Sequence, residues 1–458
     1  METIQKDAVI IGAGLTGLST AFYLKKAGLS VAVIEKAGRT GGVIQSHSEN
    51  GFLFESGPNT GVIAYPEVVE LFDDLKDEAE LITANPKAKR RLIWKGKKWH
   101  DIPSGLFSAI STPLFTLNDK FRVLGEPWRK PGTNPMENLS DFVRRRLGNS
   151  FLDYAVDPFV SGVYAGDTDY LIPKYALPKL YNLEQQYGSF IKGTMAKAKE
   201  KKKNPRLKKA TKEVFSAKGG LQHLTEALTK AIGIENIYLN CQETVIDSAE
   251  NGYTISTIQN GETLHIQSNS VVCTIGAYAL PQLLPFISEK ELAPITQLNY
   301  AKVVQAILGF NNWQGININA FGGLVPSKEQ KKILGVLFSS SFFEGRAPEN
   351  GALLSVFLGG VRKPEQIDMS DLELKEMLSK ELPPMMGLDD FSPDLIKIFR
   401  YPYAIPQYGA DSKERFETIQ RLQQQYPGLI LAGNIRNGIG MADRIMQAKT
   451  IVEELIGV

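Results

Sequence analysis

Asp7-Ala8-Val9-Ile10-Ile11-Gly12-Ala13-Gly14-Leu15-Thr16-Gly17 is the stretch whose reading decides the fold. Residues 7–11 form an apolar run of the kind that makes a parallel strand buried on both faces. The glycine turn opens onto an amphipathic helix that extends to about Gly28, and a second apolar strand covers 30–35. Strand, turn, helix and strand make a βαβ unit. In such a unit Gly12 permits the tight turn, Gly14 lets the backbone approach a pyrophosphate, and Gly17 allows helix to pack on strand. Ala13, Leu15 and Thr16 complete the loop, and the helix N-terminus presents free N–H groups and a positive dipole end to the diphosphate. Glu35 ends the second strand, with Lys36 beside it. Its carboxylate suits two ribose hydroxyls and repels a 2′-phosphate. A merely structural glycine turn is the competing reading, and the complete strand–loop–helix context outweighs it.

Whether the dinucleotide is NAD or FAD turns on two other segments. Arg39-Thr40-Gly41-Gly42-Val43 follows at once and supplies a second glycine turn with an arginine, as a longer flavin dinucleotide would use. Near the other end of the chain, Gly433-Asn434-Ile435-Arg436-Asn437-Gly438-Ile439-Gly440 leads into a helix at Met441 and offers a second helix N-terminus. Together they favour FAD. Cys241 and Cys273 lie outside this last loop, so the flavin is expected to be non-covalent.

The composition sets the remaining bounds. With 458 residues, 43% hydrophobic and a net charge of +2, the chain has material for two or three domains and no general affinity for nucleic acid. Two cysteines without CxxC spacing argue against a disulfide framework or a zinc site and fit a reducing compartment. His47, His100, His223 and His265 show no ligand spacing, so no metal is expected. The polar start at 1–6 does not read as a signal peptide, and no apolar stretch reaches the ~18–20 residues of a membrane span. A cytoplasmic protein is expected, at most peripheral to a membrane.

Further along, helices are expected around 65–75, 139–147, 151–159, 221–232 and 441–456. Strands are expected at 237–239, 253–258, 271–275, 303–310, 334–339, 353–358 and 429–432. Between 192 and 212 lie ten basic residues, opposed within the run by Glu200 alone.

The middle of the chain carries a resemblance. Asp157-Pro158-Phe159-Val160-Ser161-Gly162-Val163-Tyr164-Ala165-Gly166-Asp167 resembles a hallmark of the protoporphyrinogen oxidases, above all the plant plastid form. So do Phe338-Ser339-Ser340-Ser341 with Arg346-Ala347-Pro348, Gly359-Gly360, Ala404-Ile405-Pro406-Gln407-Tyr408, and Glu55-Ser56-Gly57-Pro58-Asn59, in the family's order. The chain departs from it at Arg436-Asn437-Gly438, where many relatives have Arg-Gly-Gly, and at Met441-Ala442-Asp443. Asn tolerates positive φ, so the turn can survive.

The resemblance implies an α/β fold. A Rossmann-like FAD domain would be built from discontinuous segments (1–87, 212–279 and 424–458), with a mixed α+β substrate domain (88–102 and 280–423) and an inserted helical membrane-binding domain (103–211). It implies oxygen-dependent oxidation of protoporphyrinogen IX to protoporphyrin IX in haem biosynthesis, with hydrogen peroxide as by-product. Gly57, Pro58, Asn59, Val245, Gly433, Asn434, Gly438, Ile439 and Met441 would join the flavin contacts. Arg90 would pair with a substrate propionate, for which a planar guanidinium is well suited; a solvated cluster with Lys87, Lys89 and Arg91 is the plainer reading. Leu324, Leu337 and Phe357 would sandwich the macrocycle, with Ala165 and Gly166 close to the pyrroles, although apolar strand positions are ordinarily plain core.

No acid–base pair stands out, and water could take the pyrrole proton. The basic run, with Leu106-Phe107, Ile110 and Leu114-Phe115 in the same insert, suits peripheral binding on the cytoplasmic face of an anionic inner membrane. A homodimer is a further expectation. The alternatives carried forward are a coproporphyrinogen III oxidase, an amine oxidase or carotenoid desaturase, and a flavin-containing porphyrin carrier without activity.

Overall fold

The computed structural model describes residues 3–103 and 106–457. Met1, Glu2, Ser104, Gly105 and Val458 lie outside the described residues, as do the side chains of Leu106 and Phe107 named above. The strand Ile4–Ile11 is the hub of the first sheet. It pairs in parallel with Val31–Ile34 on one side and with Glu262–Cys273 on the other, so that Ile11 lies opposite both Ile34 and Cys273. Ile237–Tyr238 extends the sheet beyond Val31–Ile34.

Glu262–Cys273 changes partners along its length. Residues 262–268 pair antiparallel with Gly252–Gln259, which pairs in turn with Gln242–Ala249, whereas Val271–Cys273 pair in parallel with Leu429–Leu431. The sheet is therefore mixed. Its central strands are buried on both faces, as their unbroken apolar runs require. Ala8, Ile10, Val31 and Val33 pack beneath the helices Leu15–Lys26, Gln222–Ile232 and Met441–Ile456. Val9, Ile11, Ala32 and Ile34 face a second layer that includes Leu280, Leu292 and Leu422. Each of the valine, isoleucine and leucine side chains among them contributes roughly 1.5–3 kcal/mol on burial.

The second sheet runs in the order Leu395–Pro406, Tyr300–Phe310, Ala352–Gly359, Ile333–Phe338, Gly322–Leu324, Arg91–Lys95, Lys98–Asp101. All its neighbours are antiparallel except Gly322–Leu324 with Arg91–Lys95. The helix Asp371–Met386 begins at a Ser370–Glu373 capping box and covers one face, where Leu374, Leu378 and Leu382 meet Val304, Ala306, Val336 and Val356. The strands' period of two sends Gln305, Leu337, Ser355 and Phe357 to the opposite face.

Residues 106–208 are helical in character. Asn138 caps Leu139–Arg146, and a helical run from Asn149 to Tyr164 contains two π turns. Arg146, fully buried, is held by Glu184 at 2.6 Å and by the Arg129 carbonyl at 3.0 Å.

Two expectations change here. Leu114 and Phe115 do not line a surface but are buried, packed with Ile93, Tyr154 and Leu324. The exposed apolar face lies further on, at Leu117 (70% exposed), Phe121 (71%), Leu124 and Trp128 (80%), together with Ile110. The basic run is also less free than its sequence implies, because Arg206 pairs with Glu67 and Glu70, and Lys209 with Asp73. Acidic residues of the helix Pro66–Asp74, distant in sequence, supply the counter-charges.

Candidate active site

Three glycine segments meet at the carboxyl end of Ile4–Ile11. The amide of Gly41 donates to the carbonyl of Ala13 at 2.8 Å, and a Cβ on Gly42 would lie 3.1 Å from Cα of Gly14. A Cβ on Gly57 would lie 2.2 Å from the Val43 carbonyl oxygen. Residues 12–17, 39–44 and 57–59 are thus contiguous. Gly17 is held by packing, since a Cβ there would sit 1.9 Å from the Gly12 carbonyl oxygen. On the Cβ side of Gly14 no atom lies within 4 Å. The helix Leu15–Lys26 starts with no side-chain cap and no acidic residue in its first turn, so its leading N–H groups remain available to an anion. Leu15 and Thr16 are buried in that turn, and Val43 keeps 62% of its surface exposed beside the open Gly14 side. These features fit an extended dinucleotide such as FAD.

Glu35 accepts the amides of Ala13 at 2.7 Å and Ala37 at 2.8 Å, which fixes its carboxylate under the first loop and leaves lone pairs for ribose hydroxyls. Arg39 donates to the carbonyls of Thr40, Ile44 and Gly42, stapling its own turn. The amide of Cys241 donates to Glu35 and Nε2 of Gln242 to the carbonyl of Lys36, which brings the strand carrying half-buried Val245 alongside. Both cysteines are free and buried, and burial pushes the Cys273 thiol up to about 12.

The C-terminal loop joins this region through Thr274, whose hydroxyl donates to the carbonyls of Ile11 and Gly12, and whose own carbonyl lies 2.7 Å from where a Gly433 Cβ would be. The Tyr408 hydroxyl reaches the carbonyls of Asn434 and Gly438, and Arg444 reaches those of Arg436, Asn437 and Gly438. Asn437 holds a φ of 62°, the left-handed geometry expected of it. At the helix N-terminus anticipated here, the Asp443 carboxylate in the first turn accepts the Gly440 amide at 3.0 Å and sets a negative charge beside it. Met441 is buried under the first sheet and Ile439 packs into the core of the helical insert.

The second sheet turns its uncovered face to Gly57 and Asn59. Gln305 accepts the Gly57 amide at 2.9 Å and donates to the Glu55 carbonyl at 3.0 Å, while Ser355 donates to Asn59 at 2.7 Å. Leu324 and Phe357 lie opposite Gly335, and Leu337 lies opposite Gly322 and Ser355, so all three called apolar residues share that face. Every residue of Ile333–Phe338 is buried except Leu337, and every residue of Ala352–Gly359 except Phe357; in Gly322–Leu324 the half-open position is Leu324. An apolar side chain left half-open in a sealed strand marks the wall of a pocket rather than core.

The 160–166 segment rests on this wall. A Cβ on Gly162 would meet Leu324 at 2.4 Å, and Ala165 packs with Phe357. Ala165 is left-handed (φ 49°), and its carbonyl accepts the Val361 amide at 2.9 Å. Gly166 faces Gln407, whose Oε1 is buried without a partner. Arg362 braces the segment by gripping Asp157 at 2.5 Å and Asp167 at 2.8 Å. Pro58 is half-buried between Gly57 and Asn59. Arg90 stands apart from the other site residues: half-exposed, it forms a two-point pair with Asp101 at 2.8 and 3.1 Å.

Gln305, Ser355, Thr274 and Arg444 were not singled out from sequence, and Tyr408 was named only within the motif 404–408. Gln305 carries a signal of its own, as the one polar residue in Val303-Val304-Gln305-Ala306-Ile307.

The chain as a whole is similar to known proteins. The family model of flavin-containing amine oxidoreductases matches residues 15–456. Protoporphyrinogen oxidase 2 of Arabidopsis thaliana is 30% identical, with 96% of this chain and 92% of that protein covered. Coproporphyrinogen III oxidase of Bacillus subtilis is 27% identical, with 100% and 99% covered. A solved Exiguobacterium structure, provisionally named a protoporphyrinogen oxidase, superposes with a TM-score of 0.80 at 24% identity over the whole of both chains.

Proposed function

The chain belongs to the flavin-containing amine oxidoreductases, and from that premise we propose that it is an FAD-dependent oxidase that converts protoporphyrinogen IX to protoporphyrin IX with oxygen as acceptor. The observation that carries the substrate is the set of half-open apolar side chains, Leu324, Leu337 and Phe357, on the sheet face bonded to Gly57 and Asn59. A flat, largely apolar macrocycle fits such a wall.

When bound, FAD accepts a hydride from the substrate and passes the electrons to oxygen as hydrogen peroxide. The chain's share is placement. Gly12, Gly14, Gly17 and Glu35 hold the adenosine diphosphate end, and Gln305 and Ser355 fix the 57–59 segment against the substrate wall. Leu324, Leu337 and Phe357 would wall the ring, and the 160–166 segment, packed on Leu324 and Phe357, would border the pocket and keep water out. Each of three rounds removes one hydride and one proton, and no side chain need act as base if water takes the proton.

Anaerobic mixing tests the reading. Protoporphyrinogen should bleach the flavin absorbance, and admitting oxygen should restore it as porphyrin fluorescence grows. Bleaching by a primary amine, with none by the porphyrinogen, would overturn it.

Membrane placement is part of the same reading. Leu117, Phe121 and Leu124 recur at helical spacing in Leu117–Leu124 and stand exposed with Trp128, a face suited to the interfacial region of a bilayer. No helix of the described residues is long and apolar enough to cross a membrane.

A further inference from the structure

Four arginines are buried among the described residues: Arg146, Arg346, Arg415 and Arg444. The first three each meet a carboxylate, Glu184 at 2.6 Å, Glu55 at 2.7 Å and Asp411 at 2.6 Å. Arg444, 8% exposed, has only neutral partners. Its guanidinium donates to the carbonyls of Arg436, Asn437 and Gly438 at 2.9–3.0 Å and to Oε1 of Gln447 at 3.1 Å, and its Nε is buried with no partner. The neighbouring carboxylate, Asp443, is turned to the Gly440 amide. Burial lowers the Arg444 pKa from the ordinary arginine value, the mark of a charge held away from water. A buried cation without a counter-charge is costly to maintain, and such costs gather at functional sites.

The bonds that Arg444 makes also shape the loop. In a trans peptide the carbonyl and the following N–H point to opposite sides. With the carbonyls of 436–438 drawn back to Arg444, the amides of Asn437, Gly438 and Ile439 face away from it. Among the described residues none of these three amides has a protein acceptor, and their side is the open one, with Asn437 and Gly440 exposed. Successive free amides of this kind make a concavity that suits negative charge.

Glu35 marks the ribose end of the cradle, and the half-open wall of Leu324, Leu337 and Phe357 marks the other. The 438–439 part of the loop belongs to the wall end. Ile439 packs in one cluster with Val160 and Tyr164, and the next residue, Ala165, packs with Phe357. Accepting a hydride turns the neutral isoalloxazine into an anion, so the charge that appears at this end of the cradle is negative. We propose that Arg444 is a positioning residue for the reduced cofactor, which turns the amides of Asn437, Gly438 and Ile439 toward that anion and lends them its own positive potential. The arrangement is fixed before the charge arrives, and it makes bound FAD a stronger hydride acceptor. The proposal rests on FAD binding and not on the identity of the substrate.

The test is the two-electron potential of the bound flavin, read by equilibration against a reference dye in Arg444→Gln, Arg444→Lys and Asp443→Asn. Sulfite affinity is the second readout, because sulfite addition also leaves the ring negative. Arg444→Gln should lower the equilibrium constant for reduction about tenfold, a fall of about 30 mV, and weaken sulfite binding about tenfold. Arg444→Lys should recover most of both. Asp443→Asn removes a negative charge from the same turn and should move both readouts the opposite way. Shifts of the same sign in Arg444→Gln and Asp443→Asn would mark a merely structural role and overturn the proposal, as would an unshifted potential in flavin-loaded Arg444→Gln. If Arg444→Gln loads no flavin, Asp443→Asn decides: a potential that does not rise overturns the proposal. None of these readouts uses a porphyrinogen, so the proposed reaction stands or falls separately. A wild-type chain that holds no flavin would overturn both.

Discussion

Glu55 and Arg346 form an ion pair at 2.7 Å with 3% and 4% of their side chains exposed. Glu55 also accepts the Ser46 hydroxyl and the Leu221 amide, so the pair knits the 55–59 segment to the start of the helix Gln222–Ile232. Removing one partner strands a buried charge. Arg346→Leu should therefore lower unfolding stability by about 3–5 kcal/mol, measured by urea titration of the FAD-loaded enzyme. His47 lies between Phe54 and Phe399, with Nε2 2.8 Å from the Ser56 hydroxyl, and burial lowers its pKa below the ordinary 6.5. The folded state then binds fewer protons than the unfolded one. Its contribution to stability is present above about 6.5 and is lost as pH falls toward the folded value. His47→Phe should flatten that part of the Tm–pH curve, and an unchanged slope would count against the assignment. Both residues were visible in sequence, Glu55 and Arg346 only as parts of two distant motifs. Nothing local in either motif reveals that they touch.

Among the elements, the βαβ unit was legible because its strands are buried on both faces and its glycines are forced by contact. The helix Met441–Ile456 was equally plain. Glu262–Cys273 was read only from residue 271, since its first half pairs with a solvated hairpin and alternates in polarity. The half-open apolar wall of Leu324, Leu337 and Phe357 was singled out through family resemblance alone, because half-exposure depends on which face a neighbouring segment leaves open. The apolar face of the insert was misplaced for the same reason: Leu114 and Phe115 are adjacent and packed on Ile93 and Leu324, whereas Leu117 and Phe121, separated in sequence by Asn, Asp and Lys, come together on one exposed helix face. That gives a prediction at this scale. Phe121→Ser with Leu124→Ser should reduce co-sedimentation with anionic vesicles at least about tenfold. Neutralising Lys201, Lys202 and Lys203 should have a smaller, salt-dependent effect. Equal binding by wild type and the double-serine variant would exclude this face.

For the molecule as a whole, the glycine loops at 12–17 and 433–440 are brought together by Thr274 at the end of a strand between them in sequence. Val271–Cys273 receives Val9–Ile11 on one edge and Leu429–Leu431 on the other. A chain ending before Leu429 would leave that edge unpaired and the helices Leu15–Lys26 and Gln222–Ile232 short of their neighbour Met441–Ile456. Such a truncation should yield aggregated protein without flavin, checked by absorbance of the soluble fraction.

The same strand has a bearing on biogenesis. A nascent chain leaves the ribosome from its amino end, so the dinucleotide fingerprint emerges long before residues 429–456 and must wait for them before its sheet is complete. Pairings of such sequence separation are slow to form. During that interval the cradle is a half-built, sticky surface, and it is the stage at which chaperone capture and flavin supply should govern how much active protein accumulates.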